Sequence, residues 1–348
     1  MSICYLSKNY KGISAGNKAK MDIEDIFQSN NFRNVGIKRT ASKNKVLSFL
    51  YTLIGVLKIP FSLRKGDILV LQYPIKKYFP LICNMAHFRR CKVVTVIHDL
   101  GSFRRRRLTP EAEAALLNHS DYVIAHNESM KKWLEQHNVT IPIGCLKIFD
   151  YLSEAKPESE TILNKPYTVL FAGALNPRKS GFLYKFGEYI KDYKFDLYGV
   201  EFDAGIMQYS DRIEYKGYIS SDQLIAGAKG HFGLVWDGDS ASACSGTSGE
   251  YLKYNNPHKT SFYIRCHLPV ILWKQAALAP FVKEHKIGLC VDSLENLDDI
   301  LASVSDEEYK TIKENVKKMS DRLAQGYYIL HAVNEAKELL SKEASVQV

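Results

Sequence analysis

Short apolar runs alternate with helical patterns along the first half of the chain. The apolar runs span residues 3–6, 68–72, 93–97 and 122–125, and helical patterns begin at residue 18, near residue 80, at residue 110 and at residue 128. Apolar runs of this length between turn signals are typical of buried strands, and helices between them give the βαβ rhythm. The first half therefore predicts a parallel sheet covered by helices.

A polar segment at residues 153–166 contains two prolines and interrupts this rhythm as a linker does. A second series of apolar runs follows it, at residues 169–172, 195–198, 213–215, 232–236, 270–273 and 289–291, with helical patterns beginning at 181 and near 222, 257 and 280. Two amphipathic helices at 307–323 and 327–340 close the chain. We expect the last helix to cross back to the first half.

The pattern predicts an α/β protein with two Rossmann-like domains. The expected domains are residues 1–155 together with the C-terminal helix 327–348, and residues 156–326. A length of 348 residues with 46% hydrophobic content suits two cores of ordinary size. Because ligands bind beyond the carboxyl ends of parallel strands, two such domains facing each other would place a site in the cleft between them.

Cysteine usage and the start of the chain favour a cytoplasmic protein. The seven cysteines are scattered and contain neither a C-x-x-C pair nor a zinc-type spacing. The first residues lack the basic flank, long apolar region and cleavage site of a signal peptide.

Charge is distributed unevenly along the chain. Residues 1–110 hold 21 Lys and Arg against 5 Asp and Glu and carry a net charge of +16. The remaining residues carry a net charge of −7, which leaves +9 for the whole chain. A nucleic-acid face is one explanation, but the chain shows no helix-turn-helix, zinc finger or RNA-binding motif, so we expect no nucleic acid. Attraction to the anionic inner face of the cell membrane is the explanation that we favour, which makes the protein a candidate peripheral membrane protein.

The apolar stretch 46–63 is the one candidate for membrane insertion in the sequence. Gly55, Lys58 and Pro60 interrupt it, so it is marginal for spanning a bilayer. A helix packed on the domain is one interpretation. An interfacial helix is the other, because basic residues flank the stretch: Lys43, Lys45, Arg64 and Lys65.

A candidate polyphosphate site follows the apolar run 232–236. The chain passes through a glycine-rich loop into a helix that begins near Pro257 to Thr260, where a proline suits the first turn. Free N–H groups and the positive end of the helix dipole favour an anion at such a junction, and Lys259 adds a full charge. The chain lacks G-x-G-x-x-G after a strand, a Walker lysine motif, a nucleophile elbow and H-E-x-x-H, which argues against nicotinamide, P-loop, hydrolase and zinc-protease chemistry.

These residues resemble those of GT-B glycosyltransferases, specifically the bacterial galactofuranosyltransferase and glucosyltransferase-3-like group. The similarity covers most of the chain. The motifs that carry it are His231-Phe-Gly-Leu-Val-Trp236, Gly249-Glu-Tyr-Leu-Lys-Tyr-Asn-Asn-Pro-His-Lys259 and Leu268-Pro-Val-Ile271, with support from Val96-Ile-His-Asp99 and Asp121-Tyr-Val-Ile-Ala-His-Asn127. The resemblance implies a C-terminal half that binds a UDP-sugar and an N-terminal half that receives the sugar acceptor.

The resemblance also implies roles for particular residues on the donor side. Lys259 and Arg178 match residues that contact the donor diphosphate, and Tyr218 matches a tyrosine near the nucleotide. Asn255, Asn256 and His258 complete the loop before Lys259. On the acceptor side, a flexible loop is expected to approach the donor; it comprises Gly12, Ser14, Gly16, Asn17 and Lys18.

Transfer of a sugar also needs a base and stabilisation of the departing UDP. Asp99, at the carboxyl end of the run 93–97, is the first candidate for the base and His98 the second, although a turn cap would explain Asp99 as well. Asp237 and Asp239 form a D-x-D that suits a divalent cation or a solvated acidic loop. We expect no metal and no cofactor, because Lys259, Arg178 and backbone N–H groups would stabilise the leaving group.

The chain also lacks the Glu-x₇-Glu that many retaining relatives of this fold carry before the Leu-Pro-Val turn, so an inverting reaction is expected. The resemblance implies transfer of a hexosyl group, galactofuranosyl from UDP-galactofuranose, to a saccharide or lipid-linked oligosaccharide acceptor in cell-surface polysaccharide synthesis. The alternatives are a UDP-glucose-dependent glucosyltransferase of the same fold, a UDP-sugar 2-epimerase-like enzyme and a catalytically silent scaffold. A homo-oligomer is also possible.

Overall fold

The computed structural model describes residues 1–10, 15–75, 78–104, 108–157 and 165–346. It divides into unit 1, Met1–Leu146 with Gly326–Val348, and unit 2, Lys147–Gln325. The sequence suggested divisions after residues 155 and 326. Residues 147–155 instead belong to unit 2, because hydrogen bonds tie this part of the chain to helices of that unit.

Unit 1 contains a six-stranded parallel sheet in the order β2-β1-β3-β4-β5-β6. Its strands are β1 (Ile3–Tyr5), β2 (Arg33–Asn34), β3 (Ile68–Tyr73), β4 (Lys92–Ile97), β5 (Tyr122–Ala125) and β6 (Ile143–Cys145). Its helices are α1 (Ala15–Ser29), α2 (Lys45–Ser62), α3 (Phe79–Phe88), α4 (Gly101–Arg104), α5 (Pro110–Leu117), α6 (Glu128–Gln136) and, from the end of the chain, α14 (Tyr327–Val346).

Unit 2 contains a second six-stranded parallel sheet, in the order β12-β11-β10-β7-β8-β9. Its strands are β7 (Thr168–Ala174), β8 (Lys194–Val200), β9 (Ile213–Gly217), β10 (Phe232–Val235), β11 (Val270–Trp273) and β12 (Gly288–Val291). Its helices are α7 (Pro177–Ser180), α8 (Ser221–Gly227), α9 (Gly246–Tyr251), α10 (His258–Arg265), α11 (Ala279–Glu284), α12 (Leu297–Ser303) and α13 (Asp306–Ala324).

The predicted α/β architecture is confirmed, including the return of the last helix. Helix α14 packs against β4, β5 and β6 of unit 1. The central strands are buried along their whole length, as the near-continuous apolar runs of β3, β10 and β11 require when helices cover both faces.

Several local predictions were wrong. The segment near Gly181 forms two short 3₁₀ helices after α7, and the glycine-rich loop before Pro257 contains α9. Helix α10 begins at His258, so Pro257 is its N-cap and does not lie in its first turn. Strands β2 and β6 escaped prediction because two or three residues are too short to show a period.

Candidate active site

In unit 2, a basic notch lies at the carboxyl ends of β7 and β10, and it is formed by Gly173, Lys179, Asp237 and Lys259. The Nζ atom of Lys259 lies 3.7 Å from the centroid of the Phe171 ring, a cation-π contact. Asp237 Oδ1 lies 3.7 Å from Lys179 Nζ. The basic notch therefore presents two lysine amines against one carboxylate.

The backbone of Gly173 allows Lys259 to occupy this position. Gly173 has φ +153°, a conformation that side chains disfavour, and a Cβ atom there would lie 3.4 Å from Lys259 Nζ. Helix α10 is fixed behind the basic notch because the hydroxyl of Tyr263 accepts a hydrogen bond from Ala172 N–H at 2.8 Å. The Tyr263 ring packs on Gly233, where a Cβ atom would approach it to 2.3 Å. These contacts join α10 to β7 and β10.

The lowered pKa of Lys259 suits a site that binds an anion. The pKa of Lys259 is lowered to about 7, mainly by burial; Asp237 opposes the change, Lys179 adds to it and Cys244 opposes it. Near neutral pH a large fraction of the amine is therefore uncharged. An anion beside the amine favours the charged form and raises the pKa again. Perturbed pKa values of this kind cluster at functional sites.

Helix α7 brings Arg178 to the same edge of the sheet. Arg178 is exposed, and its N–H donates to Asn176 Oδ1 at 2.9 Å, which caps the helix. Gly238 N–H donates to Lys179 O at 2.8 Å, so the loop after β10 holds α7 in place. Contact of Arg178 with a diphosphate stays a prediction.

Tyr218 lies further along the sheet. It follows β9, two strands beyond β7 in the sheet order, and its side chain is 68% exposed. Its position at the carboxyl edge is compatible with a nucleotide contact, and that role stays a prediction.

The loop before α10 has a structural role that the sequence motif 249–259 did not indicate. Asn256 is buried, and its Nδ2 donates to Lys147 O at 2.9 Å. Ser261 Oγ donates to Phe149 O at 2.6 Å. The two bonds attach residues 147–151 of unit 2 to α10. The amide of Asn256 is thus engaged by the chain itself.

His258 contributes to the same attachment, whereas two neighbours have polar atoms available. The His258 ring stacks on Tyr151 at 4.8 Å between centroids. Within the described part of the chain, the buried atoms Asn255 Oδ1 and Thr260 Oγ1 meet no hydrogen-bond partner. Buried polar atoms are normally paired, so these two are candidates for ligand contacts. Thr260 was not singled out in the sequence, because a threonine in a helix carries no signal of its own.

A polar cluster lies at the carboxyl ends of β3 and β4 in unit 1, where Asp99 and His98 were expected. Strand β4 ends at Ile97, and His98 follows it directly. His98 Nε2 lies 2.7 Å from Gln72 Oε1, and Gln72 Nε2 donates to Lys20 O at 3.1 Å. Asp99 is half-buried beside them. Their catalytic roles stay predictions.

The turn that carries Asp99 is held by a buried carboxylate. Glu113 is fully buried and accepts hydrogen bonds from Gly101 N–H at 2.7 Å, from both the N–H and the hydroxyl of Ser102, and from the hydroxyl of Tyr73. Glu113 thereby satisfies the first N–H groups of α4. Sequence reasoning missed it because a glutamate in the first turns of a helix usually faces solvent.

His126 supports the end of β4 from the neighbouring strand. Its Nε2 lies 3.0 Å from Ile97 O, and burial lowers the pKa of His126 to about 4. The neutral ring therefore donates to this carbonyl and fixes the residue before His98. His126 was recognised only as part of a motif, without this role.

A small pocket adjoins the polar cluster. Residues of the segment after β1, among them Lys8, line it together with residues of α2 and Gln72. Burial lowers the pKa of Lys8 to about 7, with Lys20 adding to the effect and Glu24 opposing it. Nothing in the sequence distinguishes Lys8, since a lone lysine after a strand has no pattern of its own.

Gly16 lies in a different local structure from the one expected. Helix α1 begins at Ala15, so Gly16, Asn17 and Lys18 are helical and do not form a loop. Lys18 forms an ion pair with Asp22 one turn later. Gly12 and Ser14, the remaining residues of the expected loop, lie outside the described residues.

The D-x-D motif is spread between two sets of contacts. Asp237 faces Lys179, whereas Asp239 accepts a hydrogen bond from Ser245 Oγ. Among the described residues, no three His, Cys, Asp or Glu side chains converge as ligands of a metal ion would.

The chain is similar to known glycosyltransferases over nearly its whole length. Residues 3–148 match the glucosyltransferase 3-like N-terminal domain and residues 169–336 match the glucosyltransferase 3-like C-terminal domain. The sequence is 32% identical over 330 residues to the β-1,6-galactofuranosyltransferase WbbI of Escherichia coli (strain K12), covering 94% of this chain and 96% of that protein. It is 26% identical over 277 residues to glucosyltransferase 3 of Streptococcus gordonii, covering 77% and 78%.

The fold is shared with a solved GT-B enzyme. The apo structure of the lipopolysaccharide outer core galactosyltransferase WaaB superimposes with a TM-score of 0.59 at 14% identity, covering 98% of this chain and all of that one. At 14% identity this similarity establishes the fold alone, which is the two-domain α/β GT-B fold.

Proposed function

Because the chain belongs to the glucosyltransferase 3-like family of GT-B glycosyltransferases, we propose that it transfers a galactofuranosyl group from UDP-galactofuranose to a saccharide acceptor. The family and the relatives make it a glycosyltransferase of polysaccharide biosynthesis. The galactofuranosyl donor is supported by the name of the relative that is 32% identical over nearly the whole chain. Glucosyl transfer from UDP-glucose is the second candidate, supported by the name of the relative from Streptococcus gordonii.

The basic notch is the observation that carries the proposal. Two phosphates of a sugar nucleotide would bring two negative charges to a place where Lys259 and Lys179 face one carboxylate, that of Asp237. Lys259 lies at the first turn of α10, where N–H groups without helical partners also attract an anion. Asn255 Oδ1 and Thr260 Oγ1 would provide further polar contacts.

The basic notch would also assist the departure of the nucleotide. Breaking the bond between the anomeric carbon and the β-phosphate oxygen leaves an extra negative charge on that oxygen. Positive groups already in position stabilise such a charge as it develops. Lys259, once protonated, and Arg178 are the two groups of this chain that we assign to that task, without a metal ion.

Asp99 is the group that we assign to the acceptor. As a base, its carboxylate would take the proton from the attacking hydroxyl while the oxygen forms the new bond to the anomeric carbon. Glu113 holds the turn after Asp99 through Gly101 N–H, and His126 holds the backbone two residues before Asp99, at Ile97 O. A single displacement of this kind inverts the anomeric configuration. We place the reaction in the cytoplasm, where the UDP-sugar donor and the saccharide acceptor would both be available.

The test is a donor screen with the purified chain. UDP-galactofuranose, UDP-galactose, UDP-glucose and UDP-N-acetylglucosamine are each incubated with alkyl glycoside acceptors, and released UDP and glycosylated product are measured. The proposal expects transfer from UDP-galactofuranose, an inverted anomeric configuration by NMR and unchanged turnover with EDTA. Transfer from UDP-glucose alone would establish the second candidate, and sugar isomerisation without acceptor would overturn transferase function.

The basic notch has its own variant and control. Lys259→Ala should weaken binding of the UDP-sugar about 10- to 100-fold, which is the usual worth of a hydrogen bond to a charged group. Lys274→Ala is the matched control, because Lys274 follows β11 at the same edge of the sheet but pairs with Asp292. Equal affinities of the two variants would refute the assignment of the basic notch.

A further inference from the structure

Helix α2 of unit 1 exposes a continuous apolar stripe. We call outer stripe the residues Val46, Leu50, Ile54, Leu57 and Phe61, whose exposed fractions are 67, 42, 52, 53 and 88%. Their spacing of four, four, three and four residues places them on one face of a helix. Helix α2 is also the one helix of the described chain that is long and apolar enough to cross a bilayer by length and composition.

The opposite face of α2 is already used by the protein. Gly55, Val56 and Ile59 are buried against unit 1, and they lie about half a turn away from the outer stripe. Lys58 Nζ donates to Gly36 O at 3.3 Å, which adds a polar attachment to the same unit. A helix that is apolar on both faces, with one face packed on its own domain, has a second face for another apolar partner.

The end of α3 extends this surface. Arg89 Nη2 donates to Leu63 O at 3.1 Å, and Gly66 N–H donates to Arg90 O at 3.1 Å, so the last turns of α2 and α3 are adjacent. The last residue of α3, Phe88, is 84% exposed. Exposed apolar side chains thus continue beyond the end of the outer stripe.

The charge around the outer stripe has a single sign. Residues 26–98 contain 13 Lys and Arg but a single acidic residue, Asp67. Asp67 is buried and bonded to Arg33 and to Arg64 N–H, so it does not offset the surface charge. We call basic rim the exposed basic residues that belong to α2 or flank it: Lys43, Lys45, Lys58, Arg64 and Lys65.

We propose that the outer stripe and the basic rim dock unit 1 on an anionic lipid bilayer, with α2 lying in the plane of the interface. Apolar side chains along one face with cations beside them are the features of interfacial helices. The helix does not span the bilayer, since its inner face, with Val56 and Ile59, is packed on unit 1. This surface is distinct from the basic notch and does not depend on the donor.

The charge of the basic rim selects lipid over a second copy of the chain. In a two-fold symmetric contact the same patch meets itself, so the basic rim of one copy would face that of the other. Like charges brought together at an interface disfavour association. Anionic headgroups instead attract each Lys or Arg, and each contributes a factor of about five to partitioning.

The experiment measures flotation of the full-length chain with vesicles. Vesicles of phosphatidylcholine with 30% phosphatidylglycerol are compared with pure phosphatidylcholine at 0.1 M and 0.5 M NaCl. We expect binding to the anionic vesicles at least tenfold stronger than to the neutral ones, and a loss of that difference at high salt. Ile54→Glu/Leu57→Glu should reduce binding to anionic vesicles at least tenfold.

Matched controls separate docking from a folding defect. Ile206→Glu/Leu339→Glu changes two apolar residues of similar exposure elsewhere and should bind as the wild type does. Arg64→Gln/Lys65→Gln should weaken binding more than tenfold, whereas Lys310→Gln/Lys318→Gln on α13 should not. Retained binding of the UDP-sugar by each variant would show that it is folded, and this readout is independent of vesicle binding.

Two results would overturn the proposal. The first is wild-type protein that binds neither kind of vesicle at 0.1 M NaCl, or binds both equally well at that salt concentration. The second is a lipid-free dimer, seen by analytical ultracentrifugation, that Ile54→Glu/Leu57→Glu converts to a monomer, because the outer stripe would then be an interface between two copies.

Discussion

The pKa of Lys259 predicts how donor affinity depends on pH. In the free protein burial lowers this pKa to about 7, from an ordinary value of 10.5. If the diphosphate of a UDP-sugar restores the ordinary value, the complex binds one more proton than the free protein between these two pH values. Affinity must then fall as pH rises above 7, by up to tenfold per unit.

The magnitude follows from the fraction of charged amine. At pH 8.5 about 3% of a group with a pKa of 7 is protonated, and at pH 6 about 90% is. The dissociation constant should therefore increase about 30-fold between pH 6 and pH 8.5, or ~2 kcal/mol. The other titratable groups that face Lys259 are Asp237, Lys179 and Cys244. Burial raises the pKa of the Cys244 thiol far above this range.

Isothermal titration calorimetry with a UDP-sugar measures this dependence directly. A UDP-sugar suits the experiment because its diphosphate is esterified at both ends and keeps its charge over the range. In Lys259→Arg the guanidinium stays charged, so the affinity should be nearly independent of pH. Equal affinity of the wild type at pH 6 and pH 8.5, or the same slope in Lys259→Arg, would refute the reasoning.

Three further substitutions test the polar cluster of unit 1 and the basic notch of unit 2. Asp99→Asn should bind the UDP-sugar as the wild type does and lower turnover about 100-fold or more, and calorimetry with initial rates checks both; unchanged turnover would remove Asp99 as the base. Glu113→Gln should lower the free energy of unfolding in urea by about 2 kcal/mol, because it weakens a buried carboxylate's hydrogen bonds; a loss under 0.5 kcal/mol would contradict this role. Gly173→Ala should weaken UDP-sugar binding, measured by calorimetry, because the new Cβ displaces the Lys259 side chain. The control Gly217→Ala, at a position with φ +77° and open space around it, should lower the free energy of unfolding by about 1–2 kcal/mol and leave UDP-sugar binding unchanged. Equal UDP-sugar affinity of the two variants would show that the contact between residue 173 and Lys259 is unimportant.

The sequence was informative where strands are long and buried. The runs that became β5 and β11 were predicted with their observed bounds, and the position of Lys259 near the start of α10 followed from the strand, turn and proline before it. These features depend on neighbours along the chain, which a sequence displays directly.

Contacts between distant segments could not be predicted in this way. Glu113 meets Tyr73 across 40 residues, and Asn256 meets Lys147 across 109. Nothing in the local pattern distinguishes the buried carboxylate of Glu113 from a solvated one. The pKa of Lys8 has the same origin, since its burial is created by segments that approach only in the folded unit.

The hydrogen bonds from Asn256 and Ser261 to the chain at Lys147 and Phe149 have a mechanical consequence. Helix α10, which carries Lys259, and the residue pair before it thus bind residues 147–149, where the chain enters unit 2. The position of α10, and with it that of Lys259, therefore depends on the path that residues 147–149 take into unit 2.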